Sequence, residues 1–205
     1  MSAITAARPA TAHADLGTGR PATAHVEFAA GRPVVLLDPP TGEGHLVLAA
    51  EHATTAAIAF LVRHTSGFVE VALGAADCAR LHLPPMWSLP GAPGGARDHT
   101  ITLDAVDGVS TGISAADRAR TIRAMADPGT KPADFTRPGH VAPVRATGTG
   151  AVADLVLELA AAAGTRPLAA FAALVAPRHS ARMADVGECH AFAAQHGLAV
   201  VAPRG

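Results

Sequence analysis

Gly108-Val109-Ser110-Thr111-Gly112-Ile113-Ser114-Ala115-Ala116-Asp117-Arg118 is the stretch on which the reading of this chain turns. Its first half sustains neither a helical nor an alternating period and reads as a loop of small residues. Ser114 then stands where a helix N-cap belongs, and the spacing predicts a helix through Asp117, Arg118, Thr121 and Met125. A hydroxyl-rich loop feeding a helix N-terminus offers free backbone N–H groups to an anion. Thr111, Ser114, Asp117 and Arg118 are therefore candidate substrate-binding residues. Capping explains Ser114 equally well, and Asp117 and Arg118 equally suit bracing the neighbouring loops.

Working outward, the flanks alternate between strand and helix signals. Val34 to Leu37 is a continuous apolar run, as in a buried strand. Asp38 to His45 is a loop by its Pro and Gly content, and Leu46 to Ala50 completes a hairpin. Thr54 to His64 has helical spacing, Phe68 to Leu73 reads as a strand and Ala75 to Leu81 as a short helix. Pro84 to Ala96 is a Pro/Gly loop carrying Trp87, a candidate pocket-lining residue. His99 to Leu103 alternates as a strand. Lys131 to Arg145, punctuated by Pro and Gly, reads as an irregular loop. Val152 to Ala163 is a helix closed by Gly164, Leu168 to Val175 a strand, Val186 to His196 a helix closed by Gly197, and Leu198 to Val201 a final strand. Hairpins mixed with crossovers predict a single α+β domain with a mixed sheet and flanking helices. Residues 1–25, where Arg8 to His13 recurs as Arg20 to His25, read as a low-complexity N-terminal arm, and 26–205 as the domain.

Composition narrows the function classes. With 205 residues, 49% hydrophobic and 16% charged, the chain is globular with one substantial core. Aromatics are 3% with no Tyr, so Ala, Val, Leu and Ile must build that core. A net charge of −1 and a single lysine, Lys131, give no basic footprint for nucleic acid or an anionic membrane. No run of about 18 apolar residues predicts a membrane span, and no basic-then-apolar leader precedes the chain, so the expected localisation is cytoplasmic. Cys78 and Cys189 have neither metal spacing nor a disulfide framework and read as ordinary buried thiols.

The opening stretch, with Thr121-Ile122-Arg123 and Arg137-Pro138-Gly139-His140, resembles the 3,4-dihydroxy-2-butanone 4-phosphate synthase family. The series Arg63-His64-x-Ser66-Gly67, Leu81-x-Leu83-Pro84-x-Met86, Lys131-Pro132-x-Asp134-Phe135 and Glu188-Cys189 followed by Phe192-Ala193 extends the likeness over roughly Val26 to Val201. The resemblance implies the family's fold and a homodimer with the site at its interface. It also implies an activity that makes the four-carbon precursor of riboflavin from ribulose 5-phosphate, with loss of formate and a divalent metal, usually Mg²⁺. His140 matches a catalytic histidine that the family contributes across the dimer interface.

Several of the family's site positions differ here. In its acidic loop, the Arg, the metal-binding Glu and the substrate-binding Asp fall on Pro40, Thr41 and His45, while Glu43 and Gly44 match. The phosphate-binding Arg falls on Thr149, the metal-binding His on Val152 and a neighbouring Glu on Asp154. A later catalytic Glu falls on Ala172-Ala173, and a cysteine on Glu70. With Thr41 and Val152 at the ligand positions, no metal ligand is named, no cofactor is expected and Mg²⁺ is not expected to bind.

His140 is then the leading catalytic candidate, because an imidazole exchanges protons near neutral pH. Glu43 and His45, two residues apart on the rewritten loop, are candidates for a new acid–base pair. Arg137, whose planar fork suits a carboxylate or phosphate, and Asp38, at the strand end before the loop, are candidate substrate-binding residues. The expected function is a repurposed enzyme performing acid–base chemistry on a small molecule, of isomerase, lyase, dehydratase or cyclase type, in a setting such as specialised-metabolite biosynthesis. A non-catalytic binding or scaffold subunit is the alternative, and a genuine synthase acting on ribulose 5-phosphate is the third reading.

Overall fold

The apolar run forms β1 (Val34–Leu37), which pairs antiparallel with β2 (Gly44–Ala49), Val34 opposite Val47 and Leu37 opposite Gly44. Every residue of both strands is buried. Successive side chains point to opposite faces, so such burial requires cover on both. Val35 and Leu37 enter one core with Ile58, Leu61, Ile122 and Phe192. Val34 and Leu36 enter a second with Phe28, Val156, Leu159 and Phe171. The structure, a computed structural model, describes residues 21–86, 98–179 and 181–202.

Around that pair stand β3 (Glu70–Leu73), β4 (Leu103–Ala105), β5 (Phe135–Arg145), β6 (Leu168–Ala173) and β7 (Val200–Val201). The sheet order is β4-β5-β3-β6-β2-β1-β7. β3 pairs parallel with β5 and β1 with β7, and the remaining neighbours are antiparallel. Helices α1 (Pro21–Ala29) and α5 (Val152–Ala162) cover one face. Helices α2 (Thr55–His64), α3 (Ala75–Arg80), α4 (Ala115–Ala126) and α6 (Val186–His196) contribute to the other core. This is the single α+β domain that the alternating signals predict. Among the described residues no helix is long and apolar enough to cross a membrane.

Local chemistry sets the helix ends. The Thr54 hydroxyl accepts from the Ala57 N–H at 3.1 Å at the start of α2, and the Ser114 hydroxyl accepts from the Asp117 N–H at 3.0 Å at the start of α4. At α6 the Asp185 carboxylate accepts from the Glu188 N–H, and the Glu188 carboxylate from the Asp185 N–H, a reciprocal cap. Gly197 closes that helix at φ +64°, in the left-handed region that favours glycine.

Two expectations need correction. Residues 131–145 are not an irregular loop: a short 3-10 turn, Pro132–Asp134, leads into the eleven-residue strand β5. Residues 99–103 are not a strand: His99 and Thr100 make isolated bridges, and β4 begins at Leu103. Of the segment expected to be an arm, residues 1–20 lie outside the described residues, and α1 begins at Pro21. Ala24 and Phe28 are both 0% exposed against the α5 side of the sheet. Phe28→Ala is therefore expected to cost about 3–5 kcal/mol and to lower the urea midpoint accordingly in equilibrium unfolding.

Candidate active site

Two polar centres carry most of the candidate residues, and β5 contributes to both. The first joins β4 to β5. Asp104 on β4 is buried, and its carboxylate accepts twice from one residue: from the His140 backbone N–H at 2.9 Å, and through Oδ2 at 2.7 Å from Nδ1 of the His140 ring. That contact selects the tautomer with the proton on Nδ1 and leaves Nε2, on the far side of a ring that is 42% exposed, for proton exchange. Close approach of glycine backbone makes the pairing possible. A Cβ at Gly112 would overlap Asp104 Oδ2 and press on His140 Nδ1, and one at Gly139 would overlap the Leu103 and Asp104 backbone.

The loop carrying Gly112 is fastened by Asp117. Its carboxylate accepts from the Ser110 hydroxyl at 2.9 Å, the Ser110 N–H at 3.3 Å and the Gly112 N–H at 3.1 Å. Desolvation alone would raise this carboxyl, but those bonds, with the Ser114 hydroxyl, outweigh it and hold it below the ordinary carboxylate range. Arg118 is buried, donates to the Gly67 carbonyl at 3.0 Å and feels the Asp104 charge. Burial pushes its guanidinium down and Asp104 pushes it back up. Thr111 is exposed. Arg137 donates to the carbonyls of Pro132, Phe135 and Leu81 at 2.8–3.1 Å, which ties the start of β5 to the end of α3.

The second centre is a cavity of about 630 Å³ over the α5 face. Asp38 and Thr41 line it from the β1–β2 loop, Arg145 from the end of β5, and Thr147, Thr149 and Asp154 from the segment entering α5; Val144, Val152 and Phe171 supply apolar wall. Thr41 donates its hydroxyl to Asp38 at 2.8 Å, and Arg145 pairs with Asp98 at 2.9 Å. Asp154 accepts from the N–H groups of Gly148, Thr149, Gly150 and Ala151 at 2.9–3.1 Å.

The other candidates are placed differently. His45 is no loop residue: it lies within β2, 0% exposed, its ring 6.0 Å from that of Phe171, and does not line the cavity. Glu43 is half-buried, uses its backbone in the turn with Asp38 and Thr41, and also stands outside the cavity lining. Trp87 lies outside the described residues. Glu70 is buried on β3 with its carboxylate 3.0 Å from His99 Nε2. Burial pushes the Cys189 thiol up to about 11 and raises that of Cys78, so both stay protonated and unreactive at neutral pH. Sequence reasoning missed Asp104 and the Asp98–Arg145 pair. Asp104 stands four residues before the quoted stretch, an acid inside the otherwise apolar triplet Leu103–Ala105.

A sequence model of the family described as 3,4-dihydroxy-2-butanone 4-phosphate synthase matches residues 22–204. The chain belongs to that family. Among curated relatives, the riboflavin biosynthesis protein RibBA of Rhodococcus jostii (strain RHA1) is 43% identical over 164 residues, covering 78% of this chain and 39% of the relative. RibBA of Mycobacterium marinum (strain ATCC BAA-535 / M) is 44% identical over 164 residues, covering 78% and 38%. The chain thus spans about two fifths of the length of the curated relatives it matches. A 3,4-dihydroxy-2-butanone 4-phosphate synthase structure from Candida albicans superposes with a TM-score of 0.80 at 34% identity, over 88% of this chain and 92% of that one. Another synthase, solved in complex with two magnesium ions, gives 0.82 at 34%, over 90% and 93%.

That last relative corrects the expectation of no cofactor. A synthase with this fold at 34% identity takes magnesium, so Thr41 and Val152 at two positions do not remove divalent metal from consideration. The Asp38 carboxylate and Thr41 hydroxyl are the kind of oxygen donors a hard cation takes. Among the described residues no three His, Cys, Asp or Glu side chains converge.

Asp117 supplies a pH test of the loop beneath His140. Its folded pKa is lowered, so its stabilisation is present above the ordinary carboxylate range and is lost as pH falls through the lowered value. Asp117→Asn is expected to lower the melting temperature at pH 7 and to shrink its fall below about pH 4, read by thermal melts from neutral to acid pH.

Proposed function

We propose that this chain is a diverged, catalytic member of the family that moves protons on a small molecule held in the cavity, with His140 of one copy serving the cavity of a second. The observation that carries the reading is the 2.7 Å bond between His140 Nδ1 and Asp104 Oδ2 beneath a half-exposed ring. A histidine oriented by a buried carboxylate, with its other nitrogen facing outward, is the arrangement of a general base. Nε2 takes a proton from a carbon beside a carbonyl, or from a hydroxyl, and returns it elsewhere. Asp104 keeps the ring in place and stabilises the imidazolium while it exists. Isomerisation, dehydration, ring closure and lyase steps all lie within this chemistry. Asp38 and Thr41 orient the molecule from the cavity rim.

Geometry favours sharing between copies. Arg145 stands five residue steps beyond His140 along β5, on the order of 16 Å of extended chain, and His140 does not line its own chain's cavity. Phe68, whose neighbour Gly67 is bonded to Arg118, and Ile113, next to Gly112, are 52% and 59% exposed on the His140 side. Large exposed apolar side chains beside a functional group suit an interface. A second reading, genuine synthase activity on ribulose 5-phosphate, is supported by the magnesium-bound relative at TM-score 0.82.

Carbon-bound proton exchange of ribulose and of ribulose 5-phosphate in D₂O, followed by NMR with and without Mg²⁺, tests both. His140→Asn is expected to slow exchange by about 10²–10⁴-fold. Equal rates in wild type and variant would sink the catalytic assignment in favour of a non-catalytic binding subunit. Magnesium-dependent release of formate would establish the second reading. The shared site has its own signature. His140→Asn and Asp38→Asn, each inactive alone, should recover roughly one quarter of wild-type activity when mixed and allowed to exchange, since half the dimers are mixed and each holds one intact site.

A further inference from the structure

The cavity carries a charge pattern that constrains what can enter it. Its described lining holds the carboxylates of Asp38, Asp98 and Asp154 against one cation, Arg145. Arg145 Nη2 is already engaged, 2.9 Å from Asp98 Oδ2. The N–H groups leading into α5 would ordinarily offer an anion a seat. Here Asp154 occupies that seat, with Oδ1 on the Gly148 N–H and Oδ2 on those of Thr149, Gly150 and Ala151. An anionic group entering from solvent would meet three carboxylates, one guanidinium already paired through Nη2, and no free backbone donor among those four.

The same lining suits a ligand that brings donors. Asp38 is 7% exposed, and the hydrogen bond from Thr41 leaves its carboxylate further capacity to accept. Thr41, Thr147 and Thr149 supply hydroxyls to the lining, and Val144, Val152 and Phe171 supply apolar surface. Acceptors, adaptable hydroxyls and apolar surface together are complementary to a carbon skeleton bearing hydroxyl or ammonium groups.

We infer that the cavity takes an unphosphorylated, hydroxylated small molecule, neutral or cationic, and discriminates against phosphate monoesters. This rests on the proposed reading that the cavity is the substrate site. Asp154 is the residue that excludes phosphate, by occupying the N–H groups of residues 148–151 and placing a carboxylate before α5, and Asp38 is the residue that reads the ligand's donors.

The test maps binding by NMR amide shifts on the full chain, in phosphate-free buffer with and without Mg²⁺. Four probes are used: ribulose, its 1-amino-1-deoxy analogue, ribulose 5-phosphate and inorganic phosphate. Ribulose and the amino sugar are expected to shift Thr147, Thr149 and Val152, and to bind at least tenfold more tightly than ribulose 5-phosphate. Inorganic phosphate should leave those residues unmoved. Asp38→Asn should weaken the amino sugar more than ribulose. Thr149→Arg, which adds an uncommitted cation, should narrow or reverse the discrimination. Tighter binding of ribulose 5-phosphate at these residues would overturn the specificity while leaving the cavity as the site. Shifts confined to other residues would overturn the cavity reading itself, and failure of both unphosphorylated probes to bind would overturn the proposed ligand class.

Discussion

The strands β1, β2 and β3 are dry on both faces, and the placement of the polar groups described above follows from that. A central strand such as β1 has no side on which a polar side chain can reach water. Polar chemistry is therefore driven to strand ends and to the β4 edge. Asp38 sits immediately after β1, Arg145 ends β5, and Asp104 lies on the last strand of the sheet. Where a polar residue is buried deeper it has a partner, as Glu70 has His99 and Asp104 has His140. The two functional centres are separated because one strand, β5, carries His140 midway and delivers Arg145 at its far end.

Much of this was legible in the sequence because local chemistry and burial agreed. The apolar run of β1, the Ser114 cap of α4 and the left-handed Gly197 that closes α6 each leave a local mark, and the structure follows them. β5 defeated that reasoning because Pro138, Gly139 and Pro143 look like loop residues. The sheet accommodates Pro143 by its position. The Ala142 N–H is given to Val69 on the β3 side, so the adjacent Pro143 has its missing donor on the opposite side. There the 98–101 segment makes only isolated bridges.

The candidate site was legible in part, for a related reason. Asp38 lines the cavity, as a carboxylate at a strand end can. His45 reads as a loop residue but is captured by β2, whose ladder begins at Gly44. Asp104 escaped because an acid between apolar neighbours reads as an outward-facing strand residue. Its meaning depends on a histidine 36 positions away and on two glycines that let the backbones close in. The metal expectation failed by a different route. It took two substituted positions as decisive for a group that a relative with the same fold holds.

The four N–H bonds to Asp154 have a consequence for how the cavity meets a ligand. They hold residues 148–151 in one conformation by the chain's own carboxylate, in a segment where Gly148 and Gly150 adopt φ of +75° and +79°. Loops that a ligand must organise charge it their conformational entropy on arrival. This wall is organised beforehand, so a ligand recognised here loses little affinity to ordering it, and the cavity can favour a small molecule that makes few contacts.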